Sequence, residues 1–136
     1  MQRPECKPYP PAARYGRKAV RSLRYDCKTL TVDIQGEAFA FAQVLFRSPT
    51  AFRVLDERDL CEFWPDYSEV NGWLYEVERG GWLELETHRS LFNSPDMLSG
   101  LKEWLIVDDM CISVLSVQSP EIIDLGTDPV QANANV

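Results

Sequence analysis

The sequence has a single histidine, no Cys-x-x-Cys spacing and no apolar run approaching the roughly 18 residues that cross a bilayer. With His88 alone, any Ser–His–Asp arrangement must use it, and no G-x-S-x-G turn accompanies it. A zinc site recruits paired Cys or His ligands. Cys6, Cys27, Cys61 and Cys111 therefore read as reduced thiols, Cys111 as a small core hydrophobe. The first residues, "MQRPECKPYPPAARYGRK", carry bases but no apolar stretch after them, so no secretory signal is expected. A cytoplasmic protein without disulfides is the expectation. No glycine-rich loop precedes a helix, and neither "DERD" nor Asp108-Asp109 has the ligand spacing of a calcium loop. No catalytic residue, metal ligand or cofactor is assigned on this pattern.

What is present is a chain of 136 residues, 45% hydrophobic, with six Phe, five Tyr and four Trp. That is enough for one domain with a real core. The net charge of −7 hides a division: residues 1–28 carry a local +6 and residues 29–136 a local −13. An acidic domain of this kind repels nucleic acid and attracts basic partners. The expected partner is a basic protein; no membrane is implied, and nucleic acid only through residues 1–25.

Three segments follow from the pattern. Residues 1–27 form a basic, proline-containing leader, flexible or loosely docked, in which "AARYGRKAVRSLRY" fits a short helix with Ala19, Val20 and Leu23 on one side. That segment could hang free, fold back on the acidic domain, or contact nucleic acid or a membrane surface. Residues 28–125 form the acidic β-rich domain, and 126–136 a frayed tail. Within the domain the period is two. Leu30, Val32 and Ile34 alternate in "KTLTVDIQG"; a Gln35-Gly36 turn would set Val32 opposite Phe39 and Leu30 opposite Phe41. "AFRVL" is a short strand. Asp56 can cap a helical turn carrying Leu60, Phe63 and Trp64 and stopped by Pro65, with a further strand as the alternative. Two strands joined at Asp108-Asp109 would oppose Leu105 to Ile112 and Val107 to Met110, and "PEIIDL" adds an edge. The fold class is mainly β, with α+β as the alternative: an antiparallel, strongly curved sheet built of hairpins, with one or two short helices.

The stretch "WLYEVERGGWLELETH" (73–88) reads as a further hairpin. A three-residue Arg79-Gly80-Gly81 connection pairs Val77 with Leu83 and Tyr75 with Leu85, collecting apolar groups on one face. The other face then carries Glu76, Glu78, Glu84 and Glu86 with Leu74 and Trp82. Glutamates around a tryptophan fit a partner-binding face, the tryptophan as anchor and the carboxylates for Lys/Arg. They also fit a merely soluble face. Glu76 and Glu84 as a catalytic carboxylate pair are a lesser alternative. Asp56, Glu57, Asp59 and Glu62 form a secondary acidic patch.

The succession "FRVLDERDLCEFW", "NGWLYEVERGGWLELE" and "EWLIVDDMCISVLSVQSPEI", over roughly residues 39–123, resembles small bacterial immunity proteins encoded beside polymorphic or secreted toxins. The resemblance implies a non-enzymatic binding protein that neutralises a cognate toxin by occluding its active or docking surface. The alternatives are a regulatory or scaffold module with a nucleic-acid-contacting leader, and a carboxylate-pair hydrolase.

Overall fold

The structure is a computed structural model that describes residues 3–16, 19–36, 40–63, 72–89, 91–93 and 100–127. It is mainly β, with nine strands in two antiparallel sheets among these residues. The strands are β1 (Glu5–Pro8), β2 (Ala19–Tyr25), β3 (Thr29–Gln35), β4 (Phe41–Arg47), β5 (Ala51–Asp56), β6 (Leu74–Arg79), β7 (Lys102–Ile106), β8 (Met110–Ser116) and β9 (Glu121–Gly126). One sheet has the order β1-β6-β7-β8-β5 and the other β2-β3-β4-β9. A six-residue helix, α1 (Trp82–Thr87), and 3-10 segments at Pro10–Tyr15 and Glu57–Phe63 complete the described elements.

Alternation along each strand sorts its side chains onto two faces. Leu30, Val32 and Ile34 of β3 and Ala42, Val44 and Phe46 of β4 face Leu74, Trp104, Ile106, Ile112 and Val114 of the larger sheet. This inter-sheet core is the main hydrophobic contribution, at about 1.5–3 kcal/mol for each large side chain fully buried. The larger sheet is buried on its outer face too. There Tyr75, Val77, Leu105, Val107 and Cys111 meet Leu60 and Phe63 of the second 3-10 segment. A strand covered on both faces reads as a continuous apolar run, which is why "WLIV" and "CISVL" look as they do.

The segment read as a leader is built into both sheets. β1 pairs with β6 and β2 with β3, so residues 19–25 are strand, not the expected helix. Ala12 and Tyr15 are core residues: the Trp73 indole N–H donates to the Ala12 carbonyl at 3.0 Å, and Tyr15 meets Trp73 edge to face. Tyr9 stacks edge-on against Trp104, its ring centroid 5.2 Å away, and donates its hydroxyl to the Pro120 carbonyl.

Two registers also differ from expectation. β3 and β4 pair Val32 with Val44 and Leu30 with Phe46, so their connection is longer than Gln35-Gly36. Phe39 lies outside the described residues. β7 and β8 pair Ile106 with Ile112 and Leu105 with Ser113, across the three residues Val107–Asp109. Aspartates suit a turn, but one residue more keeps Ile106 and Ile112 together on the core face. The "AFRVL" strand and the "PEIIDL" edge strand are present as β5 and β9. Asp56 caps the turn after β5, accepting the Arg58 N–H at 2.9 Å. Trp64, Pro65 and residues 128–136 of the tail lie outside the described residues. Deleting residues 1–25 removes one edge strand from each sheet together with Ala12 and Tyr15. The expected outcome is loss of the cooperative thermal transition by circular dichroism; an unchanged melting curve would contradict this role.

Candidate interaction site

The stretch Trp73–His88 is not a hairpin. Its first half is β6, but β6 pairs with β1 and β7, and residues 82–87 turn into α1. Leucine and glutamate are good helix formers, and six alternating residues satisfy a strand pattern and a helical turn and a half equally well. Capping decides between them. Gly81 occupies the N-cap position and has no side chain to offer. The missing acceptor comes from another strand: Glu103 of β7 accepts the Leu83 N–H at 2.8 Å, as an N-cap side chain would. Glu84, in the third helical position, reaches back to accept the Gly80 N–H at 2.6 Å, in the manner of a capping box.

Both glycines are required by this arrangement. Gly80 has φ +76°, and a Cβ there would meet the Arg3 carbonyl oxygen at 2.7 Å. A Cβ on Gly81 would lie 2.7 Å from the Glu103 carboxylate and 2.8 Å from Val77 Cγ1. The carboxylate thus packs directly onto the Gly81 backbone.

Glu103 is 2% exposed, pointing to the outer side of the larger sheet with Leu105, between Val77 and Leu115 of its neighbours. Burial raises its pKa; the N–H groups of Leu83 and Trp82, and then Arg53, act in the opposite direction. Cys6, in the same row of β1, is pushed up to about 12 by burial, with Glu103 and Glu78 adding to it. It is an inert thiol rather than a nucleophile. Arg53 of β5 lies over the Trp82 ring, 4.7 Å from its centroid. Sequence reasoning missed Glu103 and Arg53. The available signal was a lone glutamate in "KEWLIV", where both neighbouring faces are otherwise apolar.

The residues expected to form one acidic face are therefore separated. Glu76 and Glu78 share the side of Leu74, whereas Trp82, Glu84 and Glu86 belong to α1 on the opposite side of the sheet. Glu76 lies 3.5 Å from Lys7 and 3.6 Å from Lys102, and Glu78 lies 3.9 Å from Lys7. Glu86 is held below the usual carboxylate range by the Arg89 guanidinium and then by the Trp82 indole N–H, at 2.6 and 3.1 Å. Trp82 is half-buried under Arg53, with its N–H already engaged, so it is not the open anchor a hairpin would present. Glu76 and Glu84, the alternative catalytic pair, are not brought together. His88 is exposed at the end of α1.

The secondary patch fares differently. Asp56 pairs with Arg58, whose hydrogen bonds hold its carboxyl below the usual range. Glu57 donates its backbone N–H to the Asp109 carbonyl at 3.0 Å, which joins the 57–63 segment to the β7–β8 turn. Glu57, Asp59 and Asp109 have no ion pair among the described residues, while exposed Val54 and Met110 stand on the adjoining strands. Glu62 lies in the same segment. The neighbouring Asp108 is structural, accepting the Val20 N–H of the other sheet at 2.8 Å.

A second buried carboxylate sits on the outer face of the smaller sheet. Asp33 accepts from Ser22 at 2.5 Å, from Gln43 at 3.0 Å and from Arg24, tying β2, β3 and β4 together. Cys6, Cys27 and Cys111 form no disulfide among the described residues. Among the described residues no three His, Cys, Asp or Glu are placed to hold a metal, and no helix is long and apolar enough to cross a membrane.

Comparison with protein-family models, with curated proteins and with solved structures gives no significant match to this chain.

Glu103 makes stability depend on pH in a defined direction. Its folded-state pKa is raised, so its contribution is fully present below the ordinary glutamate value of about 4.3 and is lost as pH rises through the folded value. Denaturant unfolding of Glu103→Gln and the wild type is expected to diverge in favour of glutamine as pH rises from about 4 toward 8. A constant difference across that range would contradict the raised pKa. Glu103→Leu leaves the α1 amide uncapped and is expected to cost about 1 kcal/mol at pH 4.

Proposed function

We propose that this chain is an immunity-type binding protein that neutralises a basic toxin by occluding it, without chemistry of its own. The observation that carries the reading is the contrast between two sets of carboxylates. Those of 73–88 are engaged within the chain, whereas among the described residues Glu57, Asp59 and Asp109 form no ion pair of their own; Arg58, the cation on which Glu57 and Asp59 act, is bound to Asp56, and exposed Val54 and Met110 stand on the adjoining strands. The contact surface is accordingly the Asp56–Glu62 segment with Asp109, and Glu76, Glu78, Trp82, Glu84 and Glu86 are internal supports. Exposed carboxylates steer a basic partner, and apolar side chains on the adjoining strands supply area that desolvates on contact. Three of the leader's bases, Lys7, Arg14 and Arg24, face Glu76, Asp124 and Asp33, which weighs against the alternative of a nucleic-acid-contacting leader.

The test is co-expression with toxin-like reading frames adjacent to the gene, followed by binding of the toxin that is neutralised. The triple variant Glu57→Lys, Asp59→Lys, Asp109→Lys, checked for an unchanged melting curve, should lose protection. Its association rate at low salt should fall on the order of tenfold or more, with a smaller difference at high salt. Protection and rate equal to wild type would overturn the proposal.

A further inference from the structure

The larger sheet ends on β5, and the hydrogen bonding of this strand can be assigned residue by residue. β5 pairs with β8 from Ala51–Leu115 to Asp56–Met110 without interruption. The Glu57 N–H to Asp109 carbonyl bond extends that register by one pair, and it is a directly bonded pair. Bonded and non-bonded pairs alternate along an antiparallel ladder. Ala51, Arg53 and Leu55 therefore turn their backbone N–H and C=O toward β8. Phe52, Val54 and Asp56 turn theirs away, where no strand pairs with them among the described residues.

An open edge is usually blunted by bulges, prolines or charges. The other three edges of this protein carry such devices. β1 has a register shift at Glu5/Cys6, Pro8 within the strand and the Lys7–Glu76 and Arg79–Glu5 pairs. β2 is shifted between Val20 and Ser22 and carries Arg21 and Arg24. β9 pairs with β4 through a shift at Phe41/Ala42 and bears the Glu121–Arg47 and Asp124–Arg14 pairs. β5 has a regular register from Ala51 to Asp56 and no proline; its charges are Arg53, drawn over Trp82 on the outer face, and Asp56, paired with Arg58 at the end of the strand, and one extra bond, Thr50 N–H to the Leu115 carbonyl, lies at its start. On the side it shares with the core, Tyr25 stacks on Phe52 at 5.0 Å, and Val54 and Met110 follow at 42% and 47% exposure. An apolar strip thus runs along one side of the edge, and the strand passes at its end into Glu57, bonded through its backbone to Asp109, and Asp59.

We infer that β5 is a docking edge that takes an extended basic segment of the partner as a sixth strand of the larger sheet. Main-chain hydrogen bonds form with Phe52, Val54 and Asp56. Alternate apolar side chains of the segment lie on the Phe52–Val54–Met110 strip, and its Lys or Arg residues meet Glu57, Asp59 and Asp109. This rests on the proposal of a basic partner and adds how that partner is held.

The probe is a synthetic octapeptide alternating lysine and valine, titrated into the full-length protein and followed by backbone amide NMR. The amides of Phe52, Val54 and Asp56 should shift, and their hydrogen exchange should slow by about tenfold or more at saturation. An acidic glutamate–valine octapeptide should not do this, nor should the lysine–valine peptide N-methylated at alternate residues, which leaves the protein untouched. Val54→Pro, whose lost N–H belongs to no ladder bond, should abolish the effect while keeping the melting curve. Binding that survives N-methylation but is lost in the Glu57/Asp59/Asp109 lysine variant would overturn strand addition and leave the basic-partner reading standing. Strand binding that the acidic peptide matches would overturn the charge argument. Concentration-dependent protection of the same amides without peptide would assign the edge to a second copy of this chain instead.

Discussion

A buried carboxylate organises the outer face of the larger sheet. Glu103 sits in the middle strand of five, and placing a charge there costs several kcal/mol unless something answers it. The answer is the start of α1, whose backbone N–H groups need an acceptor that Gly81 cannot provide. The helix amides answer part of the cost, and burial still raises the Glu103 pKa. A six-residue helix is far below the length at which helices are stable alone, so α1 exists because β7 caps it. Arg53 and Trp82 then close over the same place, linking edge strand β5 to α1.

The same economy governs the surface charges. The positive segment at the start of the sequence and the negative remainder look like two bodies, yet they are one electrostatic unit. Lys7, Arg14 and Arg24 each lie against carboxylates supplied by later strands. An exposed pair such as Arg14–Asp124 contributes little stability, about 0–1 kcal/mol, whereas Asp33 is buried and needs its partners. They leave the net charge of the chain at −7.

Period-two alternation made β3, β4, β5, β7, β8 and β9 legible, because one or both faces of each are apolar. It failed for β2, whose "AVRSLRY" carries good helix formers and becomes strand through pairing with β3, an influence from outside the segment. It failed again for α1, where the deciding residue, Glu103, stands 20 positions from the amide it caps. The placement of the acidic residues followed the same division. Asp56, Glu57 and Asp59 are neighbours in sequence and all three act on Arg58. Glu76 and Glu84 seemed opposed only under a register that the fold does not use.

The order of strands carries a consequence for how the chain folds. It enters the larger sheet with β1, leaves for β2–β4, returns for β5–β8 and ends in the smaller sheet with β9. Each sheet thus holds a strand contributed from the far side of the other, like two combs with one tooth exchanged. Neither can be finished first: β1 waits for β6, and β4 waits for β9. Such long-range closures give high contact order and slow folding. While synthesis proceeds, β4 exposes an apolar edge until β9 has emerged, and that interval is when the protein is most open to aggregation.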